Sequence, residues 1–155
     1  MTTRALILAR LSATPRLLRE LTSDVTAAQA WTAPAPGEWS IGEIARHLVE
    51  GDRDTFLPRL RRMLAEARPV FDARGPTTGE AGDLATLLAA FAAAREQVVK
   101  TLAGLDAGGW SREGVSPSRG PLTVETYAQS MAEHDTEHLG QIHEVRETLR
   151  LRPKR

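Results

Sequence analysis

The sequence predicts an all-α protein, a four-helix bundle, on three observations. Four segments repeat their apolar residues at helical spacing, no segment sustains the period-2 alternation of a strand, and the segments are separated by loops rich in Pro and Gly. The chain has 155 residues, a length that suits one domain, and residues 1–155 are read as a single unit. The connection over Ala67–Gly82 is long enough for a crossover, so the helices need not follow a simple up-down-up-down order.

The first segment runs from Thr3 to Ala30, with Ile7, Leu11, Leu18, Leu21, Val25 and Ala28 on one side. Thr14-Pro15 reads as an interruption and restart, because Pro suits the first helical position after a Thr cap. Thr22-Ser23-Asp24 reads as a second break. Trp31–Trp39, with Pro34, Pro36 and Gly37, is a loop. Ser40 and Glu43 form the S-x-x-E capping box of the second helix, which extends to about Glu66 and contains Pro58, expected to kink it or to be tolerated with a lost hydrogen bond. The third helix spans Asp83–Leu105 with Leu84, Leu87, Leu88, Phe91, Val98 and Leu105 inward. Gly108–Pro121 is read as a loop, and Thr123 caps a fourth helix from Val124 to about Leu151.

Composition narrows the chemistry. Zero Cys removes disulfides, thiolate metal sites and Cys nucleophiles together. Twenty basic residues balance twenty acidic ones, and aromatics make up 5%. A neutral chain with so few stacking groups lacks the footprint of a nucleic-acid binder, so Arg59-Leu60-Arg61-Arg62 and the Arg150–Arg155 end are read as solvated faces. The apolar run at the start is too short for a secretory core, and no stretch reaches the length of a membrane span. A cytoplasmic protein without membrane or nucleic-acid partners is the expectation.

Four histidines then remain as the specialists for metal binding and neutral-pH proton transfer. His134 and His138 stand at i and i+4 on the inward seam Val124, Tyr127, Met131, His134, His138, Ile142, Val145, Leu149. That spacing puts two imidazoles within reach of one ion, and their place on a core-facing stripe requires hydrogen bonds or a metal. His143 falls about 140° around the helix from His138 and is excluded. His47 lies at the edge of the stripe Ile41, Ala45, Leu48, Asp52, Thr55, which leaves a surface histidine and a third ligand both open. Asp135 occupies the place of the general base in H-E-x-x-H but is one methylene shorter, and reads better as a carboxylate supporting the site or facing solvent. Gln141 shares the face of His138 and can hydrogen-bond a ligand. Trp39, Arg46 and Tyr127 are candidates for a pocket wall, with plainer readings as a packing anchor, a surface charge and a core residue. No catalytic residue is assigned.

Two motifs resemble a known family. Trp31-x-x-x-Pro-Gly-Glu-Trp39-Ser40-Ile41-Gly42-Glu43-Ile44-Ala45-Arg46-His47-Leu48 is similar to the entry of the second helix in the DinB-like (DinB/YfiT-type) superfamily, and His134-Asp135-x-x-His138-Leu139-x-Gln141-Ile142 to its closing metal motif. Trp110-Ser111-Arg112, Gly114 and Gly120-Pro121-Leu122-Thr123 resemble the approach to the last helix in one branch. The resemblance covers Leu17–Arg150. It implies a bundle with crossover topology and a divalent ion, zinc or nickel first, on His47, His134 and His138. It also implies frequent homodimers and small-molecule substrates. The superfamily includes metal-dependent thiol transferases that use low-molecular-weight thiols, a maleylpyruvate isomerase and hydrolase-like members. Activation of a thiol or of water is therefore the expected chemistry, with a non-catalytic metal-binding or stress-response module as the alternative. This chain has Ser116 where many relatives have a His. Any thiol must come from a diffusible partner, since the chain supplies none.

Overall fold

The structure is a computed structural model that describes residues 1–75, 79 and 82–151; the remainder of the long loop and of the basic C-terminal end lies outside the described residues. Helix α1 (Thr3–Thr22) is capped by the Thr2 hydroxyl and buries Ile7, Leu11, Thr14, Leu18 and Thr22. It does not restart at Thr14-Pro15 as expected. Pro15 has no N–H for the carbonyl of Leu11, but Arg95 Nη1 donates to that oxygen at 3.2 Å, so the helix continues through the proline. The break at Thr22-Ser23-Asp24 is real, although the next cap is Thr26, whose box with Gln29 starts the short α2 (Ala27–Ala30).

The Ser40–Glu43 box opens α3 (Ile41–Glu50) as the sequence indicates. A π-helical segment, Gly51–Phe56, follows without a break, and then α4 (Leu57–Ala65). Pro58 cannot donate to the carbonyl four residues back, and the wider π turns lie just before it, at the first turn of α4 where a missing N–H is tolerated. They also change the register. The buried positions run Leu48, Asp52, Leu57, Leu60, a five-residue step where an α-helix would give three or four. Phe56 is thereby left beside His134, their ring centroids 5.7 Å apart.

Helix α5 (Leu84–Ala103) is capped by Asp83, and α6 (Ala107–Trp110) is one turn that buries Trp110. The expected loop over Gly108–Pro121 is replaced in part by a hairpin, β1 (Glu113–Ser116) antiparallel to β2 (Gly120–Thr123). Its cause is tertiary: Val115 N donates to Pro69 O at 2.8 Å and Phe71 N to Val115 O at 2.9 Å, so the strand is held by the start of the long loop. Gly114 lets the Phe71 ring close over β1, because a Cβ there would sit 2.9 Å from the ring. Helix α7 (Val124–Thr148) follows, capped by Thr123.

The four long units are α1, the α3–α4 run, α5 and α7. Helix α1 packs mainly on α5 and α7, and so does α3, so α1 lies across the bundle from the α3–α4 run and α5 across from α7. The order is non-sequential, as expected, but the crossing connections are those between α1 and α3 and between α5 and α7. The long loop joins neighbours. No described helix is long and apolar enough to cross a membrane.

The core has two apolar parts. One gathers Ile7, Leu11, Leu57, Leu60, Met63, Val98, Leu102 and Met131, and the other Leu18, Ile41, Ile44, Leu48, Phe91, Ile142 and Val145. Each long unit carries a polar residue where these parts meet: Thr14, Asp52, Arg95 and Asp135, none more than 2% exposed. Arg95 Nε and Nη2 donate to Asp52 at 2.6 and 3.0 Å, and Nη1 and Nη2 both reach Asp135, the latter at 2.9 Å. Thr14 donates its hydroxyl to Asp135 at 2.7 Å. Burial opposes the Arg95 charge, but the bonds from Asp135 and Asp52 outweigh it and hold the guanidinium ionised. Burial pushes the Asp52 carboxyl up against the pull of Arg95.

Candidate metal centre

His47 comes from α3 and His134 and His138 from α7, one turn apart. The inter-helical packing of α3 on α7 brings the three rings together. Nε2 of His134 lies 3.1 Å from Nε2 of His47 and 3.0 Å from Nε2 of His138, and one ligand atom from each ring falls within 4.8 Å of the others. Among the described residues no carboxylate joins this group. The position of His47, open to two readings on the helical wheel, is at the cluster.

The donor set fits a cation. Gln141 Oε1 accepts from His138 Nδ1 at 2.9 Å, which fixes the tautomer and turns the His138 Nε2 lone pair toward the other rings. The Nδ1 atoms of His47 and His134 are buried and have no partner among the described residues. Burial first, then the charges of Arg74, His138 and His134, drive His47 down to about 3. Burial and then His138, Arg74, Arg95 and Arg119 drive His134 down to about 3 as well. Both imidazoles stay neutral at physiological pH, the state in which they ligate metals. Three Nε2 atoms that converge in this way can all point lone pairs at one divalent ion.

The remaining candidates divide clearly. Trp39 sits against the cluster, its ring 4.9 Å from His47 and stacked 6.3 Å from His138. Phe56 presents its edge to His134 at 5.7 Å. Asp135 is neither near the rings nor at the surface; it turns into the bundle toward Arg95 and Thr14. Arg46 bonds the Gly79 carbonyl and lies over Trp31. Tyr127 is core, packed on Phe56, and burial pushes its hydroxyl up to about 12. Ser116 is buried in the hairpin with its hydroxyl 3.3 Å from that of Ser118. His143 is exposed. Of the basic cluster, Arg59 bonds Asp72 O at 2.5 Å and Arg62 pairs with Glu66, so both are occupied locally.

Sequence reasoning passed over Arg74 and Arg95. Arg74 Nη2 donates to the His47 carbonyl at 3.2 Å and so buttresses the ligand's own backbone. The signal for Arg95 was present: it continues the inward Phe91–Val98 stripe at helical spacing. Beside the cluster a cleft of about 820 Å³ is lined by Trp39, His138, Gln141 and the carboxylates of Glu38, Glu137 and Glu144.

The family profile described as the DinB superfamily matches residues 10–142. The chain belongs to the DinB superfamily. Among solved structures, it is similar to YfiT from Bacillus subtilis, described as a probable metal-dependent hydrolase with an unusual four-helix bundle topology. The TM-score is 0.85 at 18% identity, over 94% of this chain and 87% of YfiT. It is also similar to YjoA, a DinB-like protein of Bacillus subtilis, with a TM-score of 0.63 at 20% identity over 92% of this chain and 90% of that one. No curated protein matches this DinB-superfamily chain. At these identities the likeness concerns the fold.

Proposed function

We propose that this DinB-superfamily protein is a metal-dependent enzyme of the hydrolase type, with His47, His134 and His138 as the ligands. The observation that carries the reading is the convergence of three imidazoles, with Nε2 of His134 3.1 Å from that of His47 and 3.0 Å from that of His138, beside a cleft. A divalent ion so held, zinc or nickel, supplies Lewis acidity that activates a water or thiol nucleophile near neutral pH. Three protein ligands leave a coordination position free, which suits catalysis better than a closed structural site. The description of YfiT as a probable metal-dependent hydrolase points the same way.

The chain's own groups do the rest. Gln141 holds the His138 ring in one tautomer and orientation. Trp39 gives the cleft an aromatic wall beside two of the ligands. Glu38, Glu137 and Glu144 make the lining acidic, with no Lys or Arg among the described lining residues. This wall repels anionic ligands and favours a small neutral or cationic substrate. A polyanionic thiol is disfavoured as the nucleophile, and water is the better assignment.

The test is a panel of small esters and amides, uncharged and amine-bearing, assayed beside a thiol with an electrophilic acceptor. Hydrolysis that disappears with a chelator and with His134→Ala, and returns to the wild type with added zinc or nickel, supports the reading. Turnover confined to the thiol reaction overturns the assignment of water.

A further inference from the structure

We infer that Arg95 is a positioning residue for the metal centre, a buried tie between the two helical units that carry the ligands. The inference rests on the metal-binding reading above. Arg95 belongs to α5, which contributes no ligand, yet it grips one carboxylate on each ligand-bearing unit. Asp52 lies five residues beyond His47, and Asp135 directly follows His134. All three side chains are at most 3% exposed. Among the described residues no hydrogen bond joins Arg95, Asp52 or Asp135 to the three histidines or to Gln141.

The geometry explains why the tie is aimed at rotation. On α7, consecutive residues point about 100° apart, so Asp135 faces the bundle interior while His134 faces the cluster. Fixing the carboxylate therefore fixes the angle of the imidazole about the helix axis. The other unit has the same division, with His47 at the cluster and Asp52 turned inward at the π segment. A rotation of roughly 10° swings a side-chain tip, about 6 Å from the axis, through about 1 Å. Metal sites tolerate about 0.2 Å in ligand distance, so a rotation that an apolar core would absorb is enough to spoil the site. Apolar contacts are non-directional. A planar guanidinium bonded to two carboxylates and to the Leu11 carbonyl has one orientation for the elements it joins.

A purely structural role would make the network replaceable by well-packed apolar residues, which often fold as well or better than a buried ion pair. The discriminating protein is the triple variant D52L/R95M/D135L, accompanied by R95K, which keeps the charge but loses the fork. Apo proteins are loaded with Co(II), and the visible ligand-field spectrum and the affinity by chelator competition are measured. L102A, a cavity variant in the apolar part that gathers Ile7, Leu11 and Val98, controls for loss of stability alone. Wild type and L102A are expected to share one spectrum and one affinity. The triple variant and R95K are expected to bind about tenfold or more weakly with an altered spectrum, even where thermal stability is retained. A folded triple variant or R95K with the wild-type spectrum and affinity overturns the positioning role alone. Wild type that takes up no Co(II) overturns the metal-binding reading and this inference with it.

Discussion

Replacing Arg95 with Met in the apo protein tests the energetics of the buried layer. Five hydrogen bonds go with the guanidinium: two to Asp52, two to Asp135 and one to the Leu11 carbonyl, which Pro15 leaves without its helical partner. Removing one member of a buried ion pair costs about 3–5 kcal/mol, because the remaining charge stays buried and unpaired. Here two carboxylates are left, at 1% and 3% exposure. A loss of at least about 4 kcal/mol at pH 7 is expected, a large share of the 5–15 kcal/mol typical of a whole domain. The loss has a pH signature. Without Arg95 the Asp52 carboxyl, already pushed up by burial, rises further, so the folded variant binds more protons than its unfolded chain. Its stability then falls as pH rises, and the deficit against wild type shrinks toward pH 5. Urea denaturation of both proteins at pH 7 and pH 5, without metal, measures this directly. A deficit below about 1 kcal/mol at pH 7, or one that grows at pH 5, refutes the reasoning.

Other consequences are open to the same instruments. The His47 and His134 imidazoles stay neutral in the folded apo protein down to about pH 3, whereas in the unfolded chain they protonate near the ordinary value of 6.5. The unfolded state therefore binds more protons between these limits, and apo stability falls as pH drops through 6.5, by about 2–3 kcal/mol at pH 5 once the half-buried His47 is discounted for solvent. Flat stability between pH 7.5 and 5 contradicts this. Ser40→Ala removes the cap of the ligand-bearing α3 and leaves Glu43 without one of its two partners there, at a cost of about 1–2 kcal/mol in urea. Gln141→Leu frees the His138 tautomer and is expected to weaken zinc about tenfold in chelator competition; unchanged affinity shows that the 2.9 Å bond does not orient the ligand.

The helical frame was legible because its signals are local. Apolar spacing, the Ser40–Glu43 box and the Thr123 cap each act within a turn or two of chain, and all are present in the structure. The hairpin was not legible, since four-residue strands carry no period and β1 is held by Pro69 and Phe71, more than forty residues away. The continuity of α1 through Pro15 depends on a guanidinium from another helix, which no local rule can supply. At the site, the pairing of His134 with His138 was readable from one helix face. The place of His47 was not, because a wheel describes a helix and not its neighbour; the family motif supplied that expectation. The partner of Asp135 was not legible for a related reason: the residue that claims it lies on α5, a helix that no wheel of α7 describes.

The central claim is that three histidines hold one ion, and metal content tests it most directly. Protein purified without a His tag is analysed for bound elements beside a H47A/H134A/H138A variant, with thermal unfolding of both. About one zinc or nickel per wild-type chain is expected, with little in the variant and a thermal stability that falls when wild type is stripped by a chelator. Sub-stoichiometric metal in both proteins, with unfolding unaffected by added zinc or nickel, contradicts the account.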